Sequence, residues 1–202
     1  DAGRRAFPIF AKANNVTGVQ WTSMDPPLRE TMLMRGDVDA ITGFSFTSLL
    51  NLEARGAKAS DLVLMPYADY GVKLYGNAII VGQKFLKEHP DAVKAFLLAF
   101  AKGAKEVLAH PAAAIPYVKQ RDGIVNAGLE TRRLQLTVDS VIASPDARAE
   151  GFGQVSPGRL ALMASQVSDA YSTKTRVAAD AVWNGSFLPP RAELNVLPPP
   201  RK

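Results

Sequence analysis

The sequence predicts an α/β fold on three observations. Short apolar runs alternate with amphipathic stretches through the first third of the chain. Their spacing fits parallel strands joined by helical crossovers. A long helical stripe then opens at Pro90-Asp91 and leads into a region with helical periodicity and little strand pattern.

Arg4 to Asn14 carries Phe7, Phe10 and Ala11 at helical spacing and stops at Asn14-Asn15. Val16 to Thr22 alternates around Val19 and Trp21 as a strand. Asp25-Pro26-Pro27 supplies an N-cap and then proline where a helix start tolerates it. Leu28, Met32 and Leu33 carry that helix's apolar face as far as Gly36. Asp39 to Phe44 reads as a short buried strand, Ser45 to Arg55 as a helix closed by Gly56, and Leu62 to Pro66 as a third strand. Val72 to Val81 is expected to be extended.

From Pro90 the residues Val93, Phe96, Leu97, Phe100, Ala104, Val107 and Leu108 form a core stripe. Further helices are expected over Pro111 to Gln120, Leu129 to Ala143 and Pro157 to Tyr171. Turns at Arg121-Asp122-Gly123 and Gly151-Phe152-Gly153 divide them. Residues 189–202, with Pro198-Pro199-Pro200, read as an extended, partly disordered tail. These later helices have apolar faces to cover and few strands to cover with them, as though a sheet were missing.

The chain has 202 residues, 47% of them apolar, enough for one sizeable core or two small ones. Its net charge of +5 is spread, with acidic residues between basic ones. That pattern, without a basic run or interleaved aromatics, argues against nucleic acid. There is no cysteine, which excludes disulfides, a thiolate nucleophile and cysteine metal sites. No apolar run reaches the roughly 18 residues of a membrane span, because Lys94, Lys102, Lys105 and Glu106 interrupt the longest one. No secretory signal is visible, and the opening on Asp1 instead of methionine fits removal of an amino-terminal segment.

Catalytic chemistry finds little support. His89 and His110 each precede a proline and read as helix boundaries, with no third residue at metal-ligand spacing. Neither is accompanied by a glycine-flanked serine elbow. Gly151-Phe152-Gly153 lacks the preceding strand, third glycine and lysine of a phosphate loop. Asp37 and Asp39 sit in a turn, where aspartate bonds local backbone. No cofactor, no metal and no catalytic residue are expected.

Several segments taken in order resemble the substrate-binding proteins of the SsuA/THI5-like (NMT1) family. They are residues 1–8, Leu33-Met34-Arg35-Gly36-Asp37-Val38-Asp39-Ala40, Phe44-Ser45-Phe46-Thr47-Ser48, Tyr75-Gly76-Asn77-Ala78-Ile79-Ile80-Val81, Phe85-Leu86-Lys87-Glu88-His89-Pro90 and Phe187-Leu188-Pro189-Pro190. The resemblance implies a periplasmic binding protein type II-like fold of two lobes. On that basis residues 1–69 are an α/β lobe two, incomplete at its start, and 70–81 are the hinge and return crossover. Residues 82–188 are then the mostly helical completion of lobe one, whose sheet would come from a region preceding Asp1. The chain is accordingly expected to be a fragment or a truncated product.

The function implied is capture of a small organic solute between the lobes and its delivery to the permease of an ABC importer in the inner membrane. The compartment implied is the periplasm, or otherwise extracytoplasmic. A sulfonate, a pyrimidine or other nitrogen heterocycle, or an aromatic acid suits the residues. Two alternatives accompany this reading. One is a THI5-like pyrimidine-biosynthesis enzyme, which needs a cysteine-rich iron motif that a chain without cysteine lacks. The other is a ligand-sensing regulatory domain.

In such a fold the ligand meets strand ends and helix starts, whose N–H groups and positive dipole end suit anionic or polar atoms. Three loops, Asp1 to Arg5, Ser23 to Pro27 and Thr42 to Thr47, are expected to face the cleft. The candidate ligand residues are Arg4, Asp25, Thr42, Phe44, Ser45, Phe46 and Thr47, with Tyr70, Tyr75 and Asn77 from the hinge side. Phe44 and Phe46 are equally compatible with a core role, Ser45 and Thr47 with helix caps, and Arg4 with a solvated helix position. Tyrosines offer a flat apolar face with a polar tip.

Overall fold

The structure is a computed structural model that describes residues 2–199. Asp1 of the first expected cleft loop and residues 200–202 of the expected tail, Pro200 among them, lie outside the described residues. Regular structure among the described residues is helical throughout. The α-helices are α1 (Ala2–Asn14), α2 (Arg29–Arg35), α3 (Ser45–Glu53), α4 (Gln83–Glu88), α5 (Pro90–Ala109), α6 (Pro111–Arg121), α7 (Ala127–Thr137), α8 (Pro145–Glu150), α9 (Pro157–Tyr171) and α10 (Arg191–Leu194).

The α/β expectation is therefore wrong for this chain, and with it the two-lobed, sheet-centred type II architecture. None of Val16 to Thr22, Asp39 to Phe44, Leu62 to Pro66 and Val72 to Val81 forms a strand. An apolar run becomes a strand only where a neighbour takes its backbone N–H and C=O groups. Left-handed Asn15 (φ 55°) and Gly18 (φ 73°) break the line of the first segment. In the second and fourth, side chains take up backbone groups that a sheet would have paired, as described below. In the third, Val63 is 89% exposed.

The chain divides into two compact units. The first takes in the chain up to Tyr75 together with Gly158–Ala178. The second takes in Gly76–Pro157 and the chain from Ala179.

The first unit is built on the apolar face of α1, as its spacing predicts. Ile9 and Phe10 are buried with Val72, ringed by Phe7, Val16, Tyr67, Tyr70, Leu74 and Ala170. Phe10 stacks on Tyr67 at 5.1 Å and meets Tyr70 edge-on at 5.6 Å, a geometry that adds to simple burial. Asn14 fastens the helix end by donating its side-chain amide to the Phe10 carbonyl (2.8 Å) and the Tyr70 carbonyl (2.9 Å). α2 ends at Gly36 with φ 75°, where Asp37 N–H reaches back to Met32 O. This is the left-handed stop that favours glycine. The face expected for α2 is corrected: Leu28, just before it, is exposed, and its one buried residue is Glu30.

The second unit packs Ala101 and Leu108 of α5 against Val138, Leu194 and Val196. The stripe on α5 is narrower than its pattern suggests. Val93, Ala101 and Leu108 are buried, while Phe96 (55%) and Phe100 (48%) remain open. His89 joins α4 to α5 and His110 joins α5 to α6, each followed by proline at the first helical position. Asn126 caps α7 through Leu129 N–H, and Ser144 caps α8 through Ala147 N–H. Residues 189–199, expected to be an extended tail, contain α10 and two core residues, Leu194 and Val196.

Apolar side chains such as Val63, Ile80 and Ile124 lie open to solvent, the last 96% exposed. Surface of this kind drives association. The chain is expected to bind a hydrophobic dye and to show concentration-dependent mass in sedimentation. A monodisperse monomer with a sharp cooperative melt and no dye binding would contradict the open surface.

Candidate functional site

One corner of the first unit gathers polar side chains from distant parts of the sequence. Its centre is Arg29 at the start of α2. One Arg29 nitrogen donates to the Thr42 carbonyl at 2.9 Å. The other donates to Glu30 Oε1 at 3.0 Å and to Ser48 Oγ at 3.4 Å. A single guanidinium thus ties α2 to α3 and holds the loop between them, using the planar fork that lysine lacks.

Glu30 is 1% exposed. Burial pushes its carboxyl up, but the Arg29 hydrogen bond, its own backbone N–H, the Arg29 charge and Ser48 together outweigh burial. The carboxyl is held below its ordinary 4.5.

The start of α1 closes on the same loop. A Cβ at Gly3 would meet Thr42 Cβ at 2.8 Å, and one at Gly43 would meet Ser48 Oγ at 2.9 Å and the Arg29 guanidinium at 3.1 Å. Only glycine permits this approach. Tyr67 secures it by donating its hydroxyl to the Gly3 carbonyl at 3.2 Å, and burial of the phenol raises its pKa.

Beyond this anchored loop, α3 begins with a stacked aromatic pair, Phe44 exposed and Phe46 half-buried. Phe44 is its N-cap and is 48% exposed, so a core role does not hold. Its ring lies on that of Phe46 at 5.2 Å with 19° between planes. No side chain caps the helix start, so Ser45 and Thr47 are first-turn residues and not caps. A flat apolar platform, two hydroxyls and the positive end of a helix dipole therefore share one place. With Arg29 already paired to Glu30, the corner suits a planar, neutral or weakly anionic group more than a strong anion.

The structure brings Thr42, Phe44, Ser45, Phe46 and Thr47 together, and does not bring the remaining candidates to them. Arg4 is exposed and sits over the Trp21 ring at 5.2 Å. Asp25 precedes a short 3₁₀ turn without a side-chain cap bond, while its carbonyl accepts from Leu28 N–H. Tyr70 is taken up by the core around Phe10. Tyr75 lies under Arg159 of α9, with 4.4 Å from guanidinium to ring centre. Asn77 is exposed and belongs to the second unit. Among the described residues no group of three or more His, Asp and Glu side chains is arranged to hold a metal ion.

Arg29, Gly3, Gly43 and Ser48 escape a sequence reading. A signal existed for Arg29 and Glu30 in the adjacent opposite charges at a helix start facing the core, though their partners Thr42 and Ser48 lie far along the chain.

The model of the NMT1/THI5-like family matches residues 11–114. The chain belongs to the NMT1/THI5-like family. That family contains both solute-binding proteins of ABC importers and THI5 enzymes. The match includes Arg29, Glu30 and the Thr42–Ser48 stretch, whereas Gly3 and α9 lie outside it. No curated protein matches the chain. Among the described residues no helix is long and apolar enough to cross a membrane.

A pH dependence follows from Glu30. A carboxyl whose folded pKa is depressed contributes stability that is fully present above its unfolded value, here near 4.5, and lost as pH falls through the folded value. Unfolding free energy is expected to drop on acidification below about 4.5, with a shallower drop in Glu30→Gln. Chemical denaturation between pH 7 and pH 3 checks this, and identical acid slopes in the two proteins would contradict it.

Proposed function

We propose that this NMT1/THI5-like chain is the solute-capture component of an ABC importer, acting outside the cytoplasm and handing its cargo to the permease. The single observation that carries the proposal is the exposed Phe44 ring stacked on Phe46, beside Ser45 and Thr47 at the start of α3. The cargo this arrangement suits is a small planar organic solute: an aromatic acid, a ring sulfonate, or a nitrogen heterocycle such as a pyrimidine. A ring would stack on the aromatic platform, and its polar atoms would meet the hydroxyls and the N–H groups of the helix start.

Binding without turnover fits the chemistry of the chain better than the family's enzymes do. There is no cysteine for an iron motif. Both histidines serve as helix junctions in the second unit, whereas the ring platform belongs to the first.

NMR titration of the full chain with benzoate, benzenesulfonate and cytosine tests the proposal. At least one is expected to shift the amides of Phe44 to Ser48 saturably and to be recovered unchanged. Phe44→Ala should weaken that binding by about ten- to a hundredfold, or about 1–3 kcal/mol, with little change in melting. Conversion of the compound, saturable shifts that avoid this stretch, or no saturable shift with any of the three would overturn it.

A further inference from the structure

Val72 to Val81 was expected to be extended, and in the structure one face of α9 takes up polar backbone groups of the segment from Gly71 to Tyr75. Gln166 donates its amide to the Gly71 carbonyl at 2.7 Å and accepts from Lys73 N–H at 3.0 Å. Through both halves of one amide it engages the segment as a neighbouring strand's peptide group would. One and two turns earlier on the same face, Met163 sulfur receives Tyr75 N–H at 3.5 Å and Arg159 donates to the Leu74 carbonyl at 3.0 Å. The Arg159 guanidinium also covers the Tyr75 ring. Positions 159, 163 and 166 are spaced four and three apart, so one helix face makes every one of these contacts.

This attachment differs in kind from what precedes it. Up to Val72 the chain is held by the buried core of Ile9, Phe10 and Val72, with Val72 N–H bonded to Tyr67 O. From Lys73 the polar backbone groups are held by side chains of α9; Leu74 still packs against the core, the Met163 and Arg159 bonds are partly buried, and both Gln166 bonds are exposed to water. Exposed bonds of this type compete with solvent and contribute little net free energy each, and regions held this way open before the core does. The segment also carries a topological role. The chain leaves the first unit after Tyr75 and comes back into it at Gly158, next to Arg159. Arg159 therefore ties the outgoing chain to the returning one.

We infer that α9 is a releasable clasp on residues 73–75, which opens and closes while the core of the first unit stays folded. When it opens, the outgoing and returning chain segments are freed together and the Tyr75 ring loses its cover. Gln166 is the bolt of the clasp and Arg159 its tie.

Amide hydrogen exchange on the full chain, residue by residue and with added sub-denaturing urea, tests the clasp. In the unaltered protein the Lys73 and Tyr75 amides should exchange at least about tenfold faster than those of Phe10 and Val72, with little dependence on urea. Gln166→Leu should speed Lys73 exchange about tenfold more while leaving Phe10 and Val72 unchanged. Arg159→Lys, which keeps the charge but not the planar cover, should shift the Tyr75 ring resonances. Lys73 exchanging in step with the core in the unaltered protein overturns the inference, and that measurement does not depend on any variant folding. An unchanged Lys73 rate in Gln166→Leu, equal acceleration throughout the first unit, or unmoved Tyr75 resonances would overturn it too.

Discussion

The first unit depends on an ion pair that the chain places below its surface. Glu30 is almost without exposure, and a buried carboxylate is costly unless charge and hydrogen bonds meet it. Arg29 supplies both, and the same guanidinium then has donors left for the Thr42 carbonyl and the Ser48 hydroxyl. The close approach of Gly3 to Thr42 and of Gly43 to Arg29 is possible only because that loop stays in place. The orientation of the Phe44–Phe46 pair follows, since Phe44 is the next residue along.

This arrangement explains why apolar runs that look like strands do not become a sheet. A sheet satisfies backbone groups with other backbone groups, and its units are interchangeable. Here single side chains do the equivalent work at chosen points: Arg29 for the loop after α2, and Gln166, Met163 and Arg159 for the segment after Val72. Such links are specific and local. They leave the flanking stretches, Leu62 to Pro66 and Gly76 to Val81, with exposed apolar side chains.

Much of the helical layout was legible in the sequence, because its signals are local. Proline after His89 and His110, glycine at 36 and 56, and the periodicity of α9 each act within a turn or two of the residues that carry them. The strands were misread because pairing is not local, and an apolar run reports only willingness to be buried. For the same reason the anchors of the loop from Thr42 to Thr47 were not legible. Arg29 and Gly3 reveal their roles only when chain segments far apart in sequence meet. Phe44 and Phe46 were left open between core and ligand contact; Phe44 is 48% exposed, which removes it from the core, while Phe46 is half-buried. The stripe on α5 was overdrawn because Phe96 and Phe100 share its spacing without sharing its burial.

The chain belongs to the NMT1/THI5-like family, and the match includes the corner around Arg29. The central claim is that the Arg29–Glu30 pair holds this corner. The direct test is urea denaturation of Arg29→Met, Glu30→Met and the double variant at pH 7. Removing Arg29 alone should cost about 3–5 kcal/mol, because it strands a buried charge, and the double variant should recover much of that loss. A cost below about 1 kcal/mol for Arg29→Met, or strictly additive losses, would contradict the claim.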